Sequence, residues 1–189
     1  MLSTTVLSQL LDELHLENSV TQESIPDLDL YMDQLITFFD MHLGNTRRRK
    51  DDKLLTKTMI NNYTKNRILM PASKKKYSKE HIILLLLIYQ LKQVTSMEDI
   101  QHLLFEFYDG VNPPSKADLT DYYQKFLDCE QSLTAFFKED VYKTAEMANQ
   151  KAAASESETT ASSLLCLLLF KQSLNYKRLA EKLLDYSRQ

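Results

Sequence analysis

The sequence predicts an all-α protein, and three observations support that prediction. The 189 residues include only two glycines and four prolines, whereas sheets joined by tight hairpins need more of these turn residues. Leucine, lysine, glutamate and glutamine, which favour helices, are abundant instead. Apolar residues also recur at intervals of three and four along most of the chain, which is the spacing of an amphipathic helix.

Two amphipathic helices are predicted before residue 45. The first is expected to end near Asn18 and carries Leu2, Val6, Leu10, Leu11 and Leu14 at helical spacing. The second is expected to begin at Pro26, because proline suits the first turn of a helix, and to end at Gly44. The charged tract over residues 45–53 is then predicted to be a loop.

Three helices are predicted in the middle of the chain. Residues 54–66 fit a short helix with an apolar side and an outer face that is polar, cationic and rich in amides. Ser78 is expected to cap a strongly apolar helix that runs to about Val94. Ser96 is expected to cap the next helix, which Gly110 and the proline pair after it terminate.

Two long helices are predicted after the proline pair. One extends from Ala117 to about Lys151, and the last ends near Tyr186. The aromatic residues between Tyr122 and Tyr142 recur at helical spacing, so we expect them to form a core. A ligand pocket among these helices is the alternative interpretation of the same residues.

The distribution of charge is strongly asymmetric. Twelve of the 23 basic residues lie between Arg47 and Lys79, where only two acidic residues oppose them, so these 33 residues carry a net charge of +10. The rest of the chain carries −13. A clustered basic surface attracts polyanions and is the first feature expected of a nucleic-acid-binding protein. On charge alone, however, a solvated surface or a flexible loop is the commoner explanation. Residues 47–79 are called the cationic segment below.

Four motifs in and after this segment carry a family resemblance. They are LTKTMINNY at 55–63, ILMP at 68–71, KKKYS at 74–78 and MEDI at 97–100. Over about residues 30–108 the chain resembles the DNA-binding half of the MerR family of bacterial transcription regulators. In that family a recognition helix is followed by a Leu-x-Pro turn, a basic wing that ends in Tyr-Ser, a long helix and a short helix.

A second resemblance is closer. The run IPDLDLYMDQ at 25–34, together with MINNY at 59–63 and KKKY at 74–77, is similar to a domain-of-unknown-function family of low-GC Gram-positive bacteria. That family is usually regarded as winged helix-turn-helix. The fold expected from both resemblances is all-α, with a MerR-like winged helix-turn-helix that has a minimal wing. An additional helical bundle is expected from the N- and C-terminal helices.

The resemblance implies a role for individual residues. The helix at 54–66 becomes the recognition helix, with Thr58, Asn61 and Asn62 facing the major groove, where an asparagine can pair with adenine N6 and N7. Phosphate contacts are expected from the basic residues around it, namely Arg47, Arg48, Arg49, Lys57, Lys65, Arg67, Lys74, Lys75 and Lys76. The last three of these form the minimal wing. Tyr63 and Tyr77 are expected to be part-buried supports.

Two functions follow as alternatives. The first is a sequence-specific, homodimeric transcription regulator that binds double-stranded DNA through the helix at 54–66, with an unknown small-molecule effector left open. Its domains would be the N-terminal helix at 1–24, packed on the C-terminal bundle, the DNA-binding domain at 25–110, and a dimerisation or sensing region at 111–189. The second is a helical protein-interaction module whose basic segment binds an acidic protein partner.

No catalytic, cofactor or metal site is predicted, so the protein is not expected to be an enzyme. None of the four histidines lies in a two-histidine metal motif, and two isolated glycines cannot form a phosphate-binding loop. Cys129 and Cys166 are expected to be small buried side chains. We also expect a cytoplasmic protein without membrane association, because no signal peptide opens the chain and its apolar runs fall short of the roughly 20 residues a bilayer requires.

Overall fold

A computed structural model describes residues 3–109, 116–153 and 158–188. The described chain is predominantly α-helical, which confirms the predicted all-α class, and its only sheet is one antiparallel pair of two-residue strands. The elements are α1 (Thr4–Asp12), β1 (Leu30–Tyr31), α2 (Met32–Leu43), α3 (Lys57–Lys65), β2 (Lys76–Tyr77), α4 (Lys79–Leu91), α5 (Met97–Leu103), α6 (Lys116–Ala152) and α7 (Glu158–Ser187). Short 3-10 turns cover Gln22–Ser24 and Gly44–Thr46.

The chain divides into two compact units. The central unit is Asn18–Asp128, and the terminal unit combines Met1–Glu17 with Cys129–Gln189. The long helix α6 contributes its first residues to the central unit and the remainder to the terminal unit. None of the described helices combines the length and the apolar character that crossing a bilayer would require.

The core of the central unit is organised by α4. Every residue from Glu80 to Ile88 is buried, so this helix is covered on all sides. Around it lie fully buried side chains from three other helices, Leu35 and Phe39 of α2, Ile60 of α3 and Ile100 of α5. A helix that is apolar around its whole circumference is expected in such a central position.

The first residues of α6 complete the central unit. Tyr123 is almost fully buried, and its hydroxyl donates a hydrogen bond of 2.7 Å to the carbonyl oxygen of Val20. The side chain of Gln22 donates to the carbonyl oxygen of Thr120, also at 2.7 Å. These bonds attach the segment before α2 to a helix about 100 residues later in the chain.

Two helices begin later than the sequence predicts. Helix α2 begins at Met32 and not at Pro26, because the two residues before it form strand β1. Leu30 pairs with Tyr77 and Tyr31 with Lys76 of β2. Helix α3 begins at Lys57 and not at residue 54, since Thr56 adopts an extended backbone and its hydroxyl accepts the N–H of Met59 at 3.2 Å. Leu54 and Leu55 are buried ahead of the helix.

Helices α4 and α5 begin at the serine caps that the sequence predicts. Ser96 caps α5 by accepting the N–H of Asp99 at 3.1 Å, and Ser78 is the N-cap of α4. Helix α4 ends at Leu91, three residues before the predicted end. Helix α5 ends at Leu103, while Gly110 and the proline pair lie outside the described residues.

The terminal unit contains α1, most of α6 and α7. Leu7 and Leu11 of α1 pack against Leu165 of α7 and against three small apolar residues of α6, Val141, Ala145 and Ala148. The side chain of Gln172 on α7 donates to Asp140 Oδ2 at 3.0 Å and to Thr144 Oγ1 at 3.3 Å on α6. The N-terminal helix therefore packs on the two long helices.

Two predictions about the long helices are wrong. Cys129 and Cys166 are exposed, not buried. Among the aromatic residues predicted to form a core, Tyr123 is buried, but Tyr122, Phe136, Phe137 and Tyr142 are all exposed. Both errors have one cause, because helices as long as α6 and α7 present faces that no other described element covers.

The hydroxyl of Tyr123 provides a test of the central unit. We expect Tyr123→Phe to lower the free energy of unfolding by about 1–3 kcal/mol, because it leaves the buried carbonyl of Val20 without its partner. Urea unfolding followed by circular dichroism measures this change. Tyr176→Phe removes an exposed hydroxyl and should change stability by no more than about 0.5 kcal/mol. Equal effects of the two substitutions would show that the bond to Val20 does not hold the unit together.

Candidate nucleic-acid interface

Helix α3 has one buried face and one exposed face. Ile60 and Tyr63 are buried in the core of the central unit. The exposed residues fall at positions i, i+1, i+4, i+5 and i+8, which is a single helical face, and they are Lys57, Thr58, Asn61, Asn62 and Lys65. The three residues predicted to face DNA bases therefore lie together on the solvent side of the helix.

The end of α3 has an unusual residue for its backbone conformation. Arg67 has a φ of 57°, in the left-handed region that glycine normally occupies after a helix. Its N–H donates to the Thr64 carbonyl oxygen at 3.0 Å, and the N–H of Ile68 donates to the Tyr63 carbonyl oxygen at 3.0 Å. These two bonds form the helix-ending Schellman motif. An exposed arginine therefore occupies the position that glycine usually takes in this motif.

The predicted wing is a two-residue turn. Lys74 and Lys75 have φ values of 50° and 67°, and they connect Ser73 to Lys76. Ser73 and Lys76 exchange two backbone hydrogen bonds of 3.1 and 2.9 Å. Positive φ at both central residues is typical of a type I′ turn, for which Asn-Gly is the preferred sequence. Both lysine side chains are exposed at the tip.

Strained backbone is concentrated at basic side chains. Four non-glycine residues in the described chain have positive φ, and three of them are Arg67, Lys74 and Lys75 of the cationic segment. The left-handed conformation costs a non-glycine residue about 1 kcal/mol. The chain therefore carries arginine and lysine at positions where glycine would be more stable, which points to a use for these side chains.

The nine basic residues predicted to contact phosphate fall into two groups. Arg47 forms a salt bridge with Asp40, Lys57 pairs with Asp33 at 2.8 Å, and Lys76 lies 5.1 Å from the ring centroid of Tyr31. Within the described residues no ion pair involves the other six, which are exposed: Arg48, Arg49, Lys65, Arg67, Lys74 and Lys75. Exposed ion pairs such as that of Lys57 contribute at most about 1 kcal/mol, so a phosphate can replace the carboxylate.

A buried histidine in the first turn of α4 supports the turn formed by Lys74 and Lys75. The sequence did not reveal this role. Nδ1 of His81 accepts the N–H of Ser78 at 3.0 Å, and its Nε2 lies 3.3 Å from the carbonyl oxygen of Pro71. Its contacts thus join residues on both sides of the turn. Burial lowers the pKa of His81 below its ordinary value, so the neutral ring with the proton on Nε2 fits both partners. The spacing Ser78-x-x-His81, which resembles a capping box, was the available signal.

The two tyrosines predicted as supports are buried more completely than expected. Tyr63 packs in the core beneath α3, and the ring of Tyr77 meets His81 edge-on with 5.4 Å between centroids. Burial raises the pKa of both tyrosines, so their hydroxyls stay protonated at neutral pH. Their main contribution is to the packing of α3 and the turn.

Metal-ligating side chains are scattered over the described residues. They include no group of three or more histidine, cysteine, aspartate or glutamate side chains placed to hold a metal ion. A hollow of about 370 Å³ lies beside the start of α3 and is lined partly by Asp40, Arg47, Lys50, Lys53 and Lys57. Its mixture of charges is better suited to ions and phosphate groups than to an apolar ligand.

A domain of unknown function, DUF1836, matches residues 20–126, which is more than half of the chain. The chain belongs to this family. Neither a curated protein nor a solved structure matches it. The DUF1836 domain covers nearly all of the central unit, Asn18–Asp128. It includes α3, the turn formed by Lys74 and Lys75 (the two-lysine turn), and Tyr123 with its hydrogen bond to Val20. The predicted membership in a domain-of-unknown-function family is thereby confirmed.

Glycine substitutions test the strain in the DUF1836 domain. We expect Arg67→Gly and Lys75→Gly each to raise the free energy of unfolding by about 0.5–1 kcal/mol, because glycine adopts positive φ without a clash. Urea unfolding measures the change. Lys65→Gly is the matched control, since it removes an exposed lysine from the last turn of α3 and should destabilise by about 1 kcal/mol. A loss of stability in all three variants would contradict the assigned strain.

The pH dependence of stability tests His81. Because its pKa is lower in the folded chain than the ordinary 6.5, the unfolded chain binds the proton first as pH falls. We therefore expect the contribution of His81 to be complete above about pH 6.5 and to be lost progressively below it. His81→Gln keeps an acceptor for the Ser78 N–H and should show a flatter loss of melting temperature between about pH 7.5 and 5.5. If the melting temperature falls equally steeply with pH in the wild type and in His81→Gln, His81 does not have the assigned role.

Proposed function

We propose that this protein is a sequence-specific DNA-binding transcription regulator in which α3 reads the major groove. The observation that carries the proposal is the exposed face of α3. It presents one threonine and two asparagines, Thr58, Asn61 and Asn62, between a lysine near each end of the helix. Threonine and asparagine can contact base edges, while lysines bind phosphates without reading sequence.

The dimensions of α3 support this use. Lys57 and Lys65 are eight residues apart, which corresponds to about 12 Å along a helix. The major groove is also about 12 Å wide, so the two ammonium groups suit phosphates on its opposite sides. The exposed cations on either side of α3 in the sequence, Arg48 and Arg49 before it and Arg67, Lys74 and Lys75 after it, add further phosphate-binding groups.

The order of the elements supports the MerR-like part of the proposal. After α3 come the turn at Arg67, the two-lysine turn, the strand β2, the long helix α4 and the short helix α5. This is the order that the resemblance to MerR regulators implies. We propose accordingly a cytoplasmic regulator of a low-GC Gram-positive bacterium that binds an inverted repeat as a homodimer. The acidic remainder of the chain would limit indiscriminate binding to DNA.

A second candidate is binding to an acidic protein. Two lysines of the cationic segment already form ion pairs with carboxylates in or just before α2. Lys57 pairs with Asp33, and Lys79 pairs with Asp27. An acidic peptide could make the same contacts. Such a partner would need no asparagines on α3, and this difference separates the two candidates.

The decisive experiment selects binding sites from a random duplex library at about physiological salt and tests the enriched sequence by gel shift. We expect Asn62→Ala to weaken binding to the enriched site by about 1–3 kcal/mol and to leave binding to random DNA nearly unchanged. Lys75→Ala should weaken binding to both alike, because it removes a phosphate contact. Lys171→Ala, which removes an exposed lysine of α7, is the control and should have no effect.

The outcomes separate the candidates. An enriched inverted repeat with the expected split between Asn62 and Lys75 supports base reading by α3. Equal losses on enriched and random DNA for both variants would overturn the recognition-helix assignment. Folded protein that enriches no sequence, but retains an acidic protein until Lys74, Lys75 and Lys76 are reversed in charge, would favour the second candidate.

A further inference from the structure

Part of the apolar surface of α6 and α7 is covered by α1. In the terminal unit, Leu7 and Leu11 close a small core over Val141 and Ala145 of α6 and Leu165 of α7. Helix α1 has only nine residues, so it spans about 13 Å. Helices α6 and α7 have 37 and 30 residues, and they extend far beyond this cover.

The apolar stripes of both long helices continue past the covered region. On α6, Phe137 and Leu133 precede Val141 by four and eight residues, and they are 41% and 62% exposed. On α7, the stripe continues after Gln172 at intervals of four, three, four and three residues. Its members are exposed as follows: Tyr176 70%, Leu179 60%, Leu183 63% and Tyr186 77%. These six residues are called the distal stripe.

The area of the distal stripe is close to what a dimer needs. With about 200 Å² for a full aromatic side chain and somewhat less for leucine, the six residues expose on the order of 600 Å². The largest apolar patch on a typical monomer is about 300–600 Å², and it is often functional. A standard interface buries about 800 Å² on each partner, which the stripe and its polar rim can supply.

Opposite charges flank the two parts of the stripe. The end of α7, residues 173–188, contains four basic and two acidic side chains, a net charge of +2. Residues 129–140 of α6 contain three acidic side chains and one lysine, a net charge of −2. Within the described residues Arg178 and Lys182 have no acidic partner. Helices α6 and α7 run in opposite directions past the Gln172–Asp140 contact, so within one chain the basic end and the acidic stretch lie on the same side of it. A two-fold axis can place each basic end beside the acidic stretch of the other copy as well.

We propose that a second copy of this chain covers the distal stripe, so that α6 and α7 of the two copies form a four-helix bundle. A two-fold axis makes the same contact twice, and each α7 end lies on residues 129–140 of the partner. This inference deepens the dimer part of the proposed function. Its test uses no DNA, so it can fail or succeed independently of base reading by α3.

Sedimentation equilibrium of the full chain without DNA measures the association. We expect wild-type dimers and, for the double variant Leu179→Glu and Leu183→Glu, a dissociation constant raised at least about 30-fold, as loss of an apolar hot spot implies. Both leucines are exposed in the single chain, so helical circular dichroism should be unchanged. Two controls place glutamate at equally exposed positions outside the stripe, Met41→Glu on α2 and Leu167→Glu on another face of α7. They should dimerise like the wild type.

Charge reversal tests the pairing of the helices. Lys182→Glu should weaken the dimer about tenfold, and adding Glu130→Lys should restore most of it. A wild-type chain that stays monomeric would overturn the proposal. So would a dimer that withstands glutamate in the stripe, or one that Leu167→Glu dissociates as strongly. Failure of Glu130→Lys to restore association would overturn the antiparallel arrangement.

Discussion

Helix α4 has no exposed face between Glu80 and Ile88, and the arrangement of the central unit depends on that constraint. Leucine and isoleucine on every side of one helix must be covered on every side, so other elements are required to surround it. Helix α3 supplies one part of this cover through Ile60 and Tyr63. Because these two residues fix which face of α3 is buried, they also direct the side chains of Asn61 and Asn62 to solvent.

The N-terminal end of α4 also supports the turn formed by Lys74 and Lys75. His81 sits in the first turn of α4, and its ring nitrogens meet backbone groups of Pro71 and Ser78. Residues 72–77, which lie between these two anchors, include Lys74 and Lys75 in the left-handed region. A buried histidine and a buried Tyr77 therefore support a strained turn of exposed lysines. This is a common arrangement at binding sites, where surrounding structure maintains a conformation that the local sequence disfavours.

The sequence predicted those features of the fold that depend on residues within a single helix. The spacing of Ile60 and Tyr63 was enough to predict which side of α3 is exposed, and Ser96 was enough to predict the start of α5. It failed where the outcome depends on residues distant in the chain. The delayed start of α2 requires the pairing of Leu30 with Tyr77, and no local preference of residues 26–31 reveals that pairing. The positive φ of Arg67 is not a conformation that arginine favours, so the residue type did not reveal it.

The exposure of Phe136 and Phe137 shows a different limit. Helical periodicity identifies an apolar stripe, but it does not distinguish a stripe buried within the chain from one buried against another chain. The core of the terminal unit is small for helices of 37 and 30 residues, so much apolar surface remains on α6 and α7. Burying that surface in a dimer also fits the size of α3. A helix of nine residues contacts few base pairs, so on the proposed function useful affinity requires two copies acting on one site. The same surface that leaves the single chain incompletely covered would then supply the pairing that DNA recognition requires.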